Sequence, residues 1–201
     1  GGDDTLSGGA GDDVLAGGAG LDRAETGTAF AEAQVAAADG AATIVSAEGT
    51  DRVEGIEHVV FEDGEWALDT EGSALGLVWR LYAAAFGREG DAGVLFWQRA
   101  VAEGLGAGEL ARAFLDSPEF ADRYGARPDD AAFLDALYRN VLGRDADPSG
   151  RAFWEEALGA GFARAETLLA FAESPENRVL SDPALEAGLF FEAVAPEDGL
   201  L

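Results

Sequence analysis

The chain has 201 residues, enough for two modest domains, and 48% of them are hydrophobic, enough for packed cores rather than disorder. Its 39 acids against 13 bases leave a net charge of −26 at pH 7. That charge excludes nucleic acid and anionic lipid as partners and makes cations the natural ligands. Cysteine is absent, which removes disulfides, thiol nucleophiles and Cys-type zinc sites, and no apolar run is long enough to span a bilayer.

The first 22 residues read as turns of a nine-residue unit. Gly8-Gly9-Ala10-Gly11-Asp12-Asp13-Val14-Leu15-Ala16 is a complete copy, Gly17 to Asp22 opens the next, and Gly1 to Ser7 closes a previous one. Each fits G-G-x-G-x-D-x-U-x, with U a large apolar residue. Glycine suits a turn that needs positive φ and close backbone approach, and x-U-x is a minimal strand with one side chain, Leu6 or Leu15, facing inward. Bunched carboxylates and unpaired carbonyls are both satisfied by a hard divalent cation with oxygen ligands, and calcium fits. A flexible glycine-rich linker would have no reason to keep aspartate and leucine in phase.

These units resemble the RTX (repeats-in-toxin, hemolysin-type) calcium-binding family, whose repeats form a parallel β-roll. The resemblance implies that two half-turns make one coil, that loops on one side come from alternate repeats, and that each ion lies between them. Asp4 and Asp22 would then share one calcium ion. Asp13 would lie on the opposite side, with partners in a repeat before Gly1 and one after Glu25, neither of them intact. The implied metal-ligating set is Asp4, Asp13 and Asp22 with the turn glycines Gly2, Gly9, Gly11, Gly18 and Gly20. With no methionine and a half repeat at its front, the chain reads as the C-terminal piece of a longer protein.

After Asp22 the repeat decays, and Thr28 to Leu68 reads as a small antiparallel β region. Ala29 to Val35 alternates weakly, Asp39-Gly40 and Glu48-Gly49 are turn signals, and Ala42 to Ser46 carries Ile44 and Val45. Val53, Ile56, Val59, Val60 and Phe61 lead to the turn Glu62-Asp63-Gly64, with Trp66 and Leu68 behind it. These strands are expected to cap the β-roll and cover its open edge. The phrase Gly55 to Gly64 also resembles the segment that ends RTX regions.

From Ser73 the pattern becomes helical and duplicated. Leu81-Tyr82 to Gly87-Arg88 matches Leu137-Tyr138 to Gly143-Arg144. After a one-residue insertion Phe96-Trp97, Gly104, Phe114 and Ser117-Pro118-Glu119 match Phe153-Trp154, Gly161, Phe171 and Ser174-Pro175-Glu176. Each Ser-Pro-Glu is a helix start, with serine as cap and proline at the first helical position. This unit resembles the DUF4214 family, helical modules next to RTX repeats in exported bacterial proteins; the turn Gly143 to Gly150 with Phe153-Trp154 carries the likeness. That family brings no catalytic residues.

Four local features compete for a role. Asp145, Asp147, Ser149, Gly150 and Glu156 nearly fit an EF-hand loop, but the first copy, Glu89 to Gly93 with Arg99, does not, and an Asp147 cap with Pro148 explains the same residues. Trp97, Trp154, Phe114 and Phe171 recur at helical spacing and read as core rather than as a sugar-binding platform. Arg88 and Arg144 read as partners of local carboxylates or helix ends. His58 is the only histidine and reads as structural; without a G-x-S-x-G elbow or a zinc set, no catalysis is expected.

The fold class expected is α+β: residues 1–25 a short parallel β-roll, 26–70 a small antiparallel β cap, and 71–201 an all-α duplicated domain. Its repeats fall at about 78–124 and 134–181, with a C-terminal helix over 183–194. The expected function is that of a non-catalytic calcium-binding module of a secreted or cell-surface bacterial RTX protein, folding on calcium after export and serving as a structural or adhesive region. The partners implied are calcium, a type I exporter that reads an uncleaved C-terminal signal, and cell-surface or S-layer components. The final helix and acidic-apolar tail are compatible with such a signal and equally with packing on the bundle. Two other readings stay open: the helical repeat as a recognition module for a surface glycan or S-layer partner, and the fragment as the secretion tail of an upstream hydrolase.

Overall fold

The computed structural model describes residues 1–38, 40–69 and 74–193. The chain is α+β, and it divides into two compact units: Gly1–Leu75 with Pro183–Leu201, and Gly76–Asp182.

The first unit begins with three-residue strands: β1 (Thr5–Ser7), β2 (Val14–Ala16) and β3 (Arg23–Glu25). It continues with β4 (Gln34–Ala38), β5 (Ala41–Val45), β6 (Thr50–Glu54), β7 (His58–Phe61) and β8 (Gly64–Ala67), and it includes β9 (Leu189–Glu192). One sheet has the order β1-β3-β7-β8-β9 and the other β2-β6-β5-β4. β1, β3 and β7 are parallel in the first, and β2 and β6 in the second, so successive short strands alternate between the sheets. The middle residue of each short strand faces the core. Leu6 and Leu15 pack against it, Ala24 lies within it, and Ile44, Ile56, Phe61 and Trp66 complete it.

The parallel coil does not stop at Glu25. β6 pairs with β2 (Leu15↔Val53) and β7 with β3 (Ala24↔Val59), after an excursion through the antiparallel hairpin β4–β5. Val53 and Val59 take the inward place that Leu6 and Leu15 hold earlier. The residues expected to form only a cap therefore split: the hairpin β4–β5 and β8 are antiparallel, but β6 and β7 carry the coil on. Their turns lack the glycine signature, and the hairpin breaks the nine-residue period, which hides them from pattern matching. The weakly alternating Ala29 to Val35 is likewise a 3-10 turn, Phe30–Glu32, followed by β4.

The C-terminus also differs from expectation. The helix α8 (Pro175–Ala187) runs through Pro183, and β9 then pairs antiparallel with β8, so no separate helix spans 183–194. Gly188 adopts φ +77°, which ends the helix. Phe190 packs against the sheet core and stacks on Phe30 with ring centroids 4.0 Å apart, while Leu189 and Phe191 are buried on the other face of the strand. The edge of β8 supplies the backbone partners that a helix would otherwise have supplied. The last residues of the expected helix and the acidic-apolar tail, from Val194 on, lie outside the described residues.

The second unit holds α1 (Leu75–Phe86), α2 (Gly93–Ala102), α3 (Ala107–Leu115) and α4 (Pro118–Tyr124), then α5 (Asp130–Leu142), α6 (Pro148–Gly159), α7 (Arg164–Ala172) and the start of α8. The four helices of one copy recur in the other. Gly87 and Gly143 end α1 and α5 at φ +62° and +63°, and Ser117 and Ser174 accept the amides of Phe120 and Asn177 to start α4 and α8. The copies meet through α3 and α7, helices on which Leu110, Phe114, Leu168 and Phe171 are buried.

Two glycine substitutions separate strain from freedom. A Cβ on Gly188 would lie 2.3 Å from Trp66 Nε1 at a left-handed φ, so Gly188→Ala is expected to destabilise by about 1–3 kcal/mol. Gly108, within α3, has open space around a Cβ, and Gly108→Ala is expected to stabilise by about 0.4–1 kcal/mol. Urea denaturation followed by circular dichroism checks both.

Candidate metal centre

The alternation of strands stacks the acidic turns into two columns. On one side lie the turns before β1, β3 and β7, carrying Asp4, Asp22 and Glu57; on the other lie the turn before β2, carrying Asp13, and the start of β6, carrying Asp51. In every case the acid stands two residues before the inward apolar residue. The Asp4 amide donates to Asp22 Oδ1 at 2.7 Å, and the Asp22 amide donates to Glu57 Oε2 at 2.8 Å. On the opposite side the Asp13 amide donates to Asp51 Oδ1 at 3.0 Å. Each carboxylate thus holds the backbone of the preceding turn, and amide donation to a carboxylate is among the stronger hydrogen bonds.

The bond from the Asp4 amide uses one carboxylate oxygen of Asp22 and leaves the other. Asp22 is fully buried, and its Oδ2 has no hydrogen-bond partner; the same is true of the buried Oδ2 of Asp13. A Cβ on Gly17 would lie 2.6 Å from Asp22 Oδ2, and one on Gly8 would lie 2.7 Å from Asp13 Oδ2. Each free oxygen therefore faces the first glycine of its own turn, where only a hydrogen leaves room. An ionised oxygen removed from water without a donor or counter-ion is costly. A hard cation with oxygen ligands compensates for it, so the residues present fit calcium.

Among the described residues no three Asp, Glu, His or Cys side chains gather to hold a metal. A calcium ion here would take one or two carboxylates and complete its shell from main-chain carbonyls. Gly2, Gly18 and Gly20 sit in the Asp4 and Asp22 column and Gly9 and Gly11 in the Asp13 turn, all five at positive φ. Gly2 N–H donates to Ala19 O at 2.8 Å and Gly11 N–H to Glu48 O at 2.9 Å, which ties neighbouring turns of each column together. The structure brings the Asp4 backbone to the Asp22 carboxylate. It also gives Asp13 a partner within the chain, Asp51, which sequence reasoning missed along with Glu57. The signal was an acid two residues before an inward valine.

The other candidates resolve into structure. Asp147 caps α6 by accepting the Gly150 amide at 2.9 Å, and the helix begins at Pro148, so Glu156 lies well inside a helix instead of closing an EF-hand loop. His58 is buried, with Nδ1 2.6 Å from Glu65 Oε1, and Arg23 also pairs with Glu65 at 3.1 Å. Burial works to raise the Glu65 carboxyl, but the hydrogen bonds and charges of His58 and Arg23 outweigh it and hold the group below the usual range.

Arg88 pairs with Glu119 at 2.7 Å and Asp91 at 3.1 Å and lies over the Tyr82 ring. Arg144 repeats this with Glu176, Asp147 and Tyr138. Burial, with Asp91 beside it, pushes the Tyr82 hydroxyl up to about 12. Phe114 and Phe171 are core, as expected. Trp97 and Trp154 are half-buried against them at 5.6 and 5.3 Å, and it is their neighbours Phe96 and Phe153 that are exposed, at 67% and 62%.

Residues 111–180 match a family model described as "Domain of unknown function (DUF4214)", covering the last part of the first helical copy and nearly all of the second. No curated protein and no solved structure matches the chain significantly.

The hydrogen bond from Arg88 holds the Glu119 carboxyl below its ordinary value. A depressed folded value means that this pair's stabilisation is complete above the normal glutamate range and is lost as pH falls through the folded value. Glu119→Gln is therefore expected to flatten part of the acid limb of stability, below about pH 4, in urea melts at stepped pH.

Proposed function

We propose that the N-terminal coils bind calcium and that the chain is a non-catalytic, calcium-stabilised structural module of an exported bacterial protein of the RTX type. The observation that carries this reading is the fully buried Asp22, whose second carboxylate oxygen has no partner and faces a glycine turn. The positive-φ glycines of that column and the net charge of −26 support it. The pairing of Asp13 with Asp51 extends it to a second ion on the opposite side.

Linkage supplies the mechanism. Sites of about 10⁻⁴ to 10⁻³ M affinity stay empty at cytosolic calcium and fill at the millimolar level outside. At ten times the dissociation constant one ion contributes about 1.4 kcal/mol, which tightens the coils without deciding whether the helical unit folds. In this reading export through a type I system precedes filling, and the filled module works at the cell surface or outside the cell. Catalysis is not assigned to it, since the one histidine is engaged by Glu65. Among the described residues no helix is long and apolar enough to cross a membrane.

A second reading treats the helical repeat as a recognition module for a surface glycan or S-layer partner. The equivalent, exposed Phe96 and Phe153 favour it.

Calorimetric titration of calcium into the whole chain is expected to give two ions, with one lost in Asp4→Asn/Asp22→Asn and the other in Asp13→Asn/Asp51→Asn. No uptake at several millimolar calcium, or uptake unchanged in both double variants, removes the proposal.

A further inference from the structure

All 13 basic residues of the chain are arginine. Ten of them form ion pairs, as expected where acids are three times as numerous. Among the described residues the exceptions are Arg99, Arg112 and Arg127, which have neither an ion pair nor a side-chain hydrogen bond. Two of these three, Arg112 and Arg127, both exposed, line the same open pocket of about 280 Å³ in the helical unit. Arg164 lines it too, and it is held by Asp130 and by the Pro128 carbonyl. Leu115, Phe120, Pro128 and Ala165 provide apolar walls.

The arrangement is opposite in sign to the rest of the molecule. Asp116 is the one carboxylate in the lining. The nearby Glu109 accepts the Gly106 amide at 3.0 Å, and Asp129 accepts the Ala132 amide at 2.8 Å. Glu166 holds the Ala163 amide at the start of α7, so the guanidinium groups and not the helix end supply the positive charge. Several guanidinium groups around one cavity with apolar walls concentrate field and match the planar fork of an oxyanion.

The duplication provides an internal control. Arg88 and Arg144, which pair structurally, recur in both copies. By the same alignment Arg112 corresponds to Leu169, and Arg164 to Ala107, so neither arginine belongs to the repeated pattern. The arginines that clamp the turns appear twice; these appear once, around one pocket.

We propose that this pocket, formed by α3, α4, the Ala126–Pro128 connection and the start of α7, binds an oxyanionic group of a small ligand. Carboxylate and phosphate share the chemistry that Arg112 and Arg127 recognise, and the size is at the lower end for small-molecule sites. The site is independent of the calcium coils, so its failure leaves the reading of the coils untouched.

The test is titration of the whole isotopically labelled chain with benzoate and, separately, with inorganic phosphate, followed by amide and arginine side-chain NMR. Saturable shifts confined to Arg112, Arg127 and Ala165 are expected from at least one probe. Stronger binding of benzoate assigns a carboxylate on an apolar body, and stronger binding of phosphate assigns a phosphoryl group. Arg112→Leu/Arg127→Leu is expected to weaken binding at least tenfold. Arg99→Leu, which removes the third unpaired arginine outside the pocket, is expected to leave it unchanged. Thermal unfolding of the double variant is expected to match the parent, since leucine already occupies the equivalent of position 112. Absence of saturable shifts with both probes, or binding that survives the double substitution, overturns the proposal.

Discussion

Stacked carboxylates set the terms for the whole N-terminal unit. Asp4, Asp22 and Glu57 on one side and Asp13 and Asp51 on the other follow each other along the coil, with Asp22, Glu57 and Asp51 each offering one oxygen to the backbone amide of the acid before it. That geometry fixes the register of three-residue strands too short to hold themselves, but it brings like charges together in a chain already at −26. The cost is greatest at Asp22, fully buried with one oxygen unmatched. A cation at this point would answer both the repulsion and the missing partner, which is why the calcium reading accounts for more of the unit than a glycine-rich spacer does.

The helical unit handles the same excess of acid in another way. Arginines at the turn after α1 and after α5 each gather two carboxylates and a tyrosine ring, and these clamps recur at equivalent places in the two copies. Exposed pairs of this kind contribute modestly one by one; networks that combine two carboxylates and a stacked ring fix a geometry as well. The arginines that stand outside this scheme are therefore the informative ones, and two of the three share a pocket.

Much of this was legible in the sequence, and the parts that were not have physical reasons. The glycine and aspartate spacing located the coil, and the duplication located the helices, because both are patterns repeated in register. The continuation of the coil through β6 and β7 was hidden by the β4–β5 hairpin, which separates Asp22 from Asp51 and breaks the period. The strand at Leu189–Glu192 was hidden because Leu185, Leu189 and Phe190 also fit a helical face; only the free edge of β8 and the left-handed Gly188 decide for strand. At the candidate site, Asp4 and Asp22 were singled out from spacing, whereas Asp51 and Glu57 keep only the single glycine two residues before them, Gly49 and Gly55, and lack the Gly-Gly pair that makes the others recognisable. The unpaired arginines were invisible for a different reason: pairing is a property of three-dimensional contacts, and every arginine in so acidic a chain looks partnered from sequence.

The most direct test of the central claim is amide hydrogen exchange of the whole chain with and without millimolar calcium. The account predicts that protection rises at Asp4, Asp13 and Asp22 and in the strands that follow them, while the amides of α3 and α7 exchange as before. Equal protection of the coil amides in both conditions would contradict it, as would a rise spread evenly over both units.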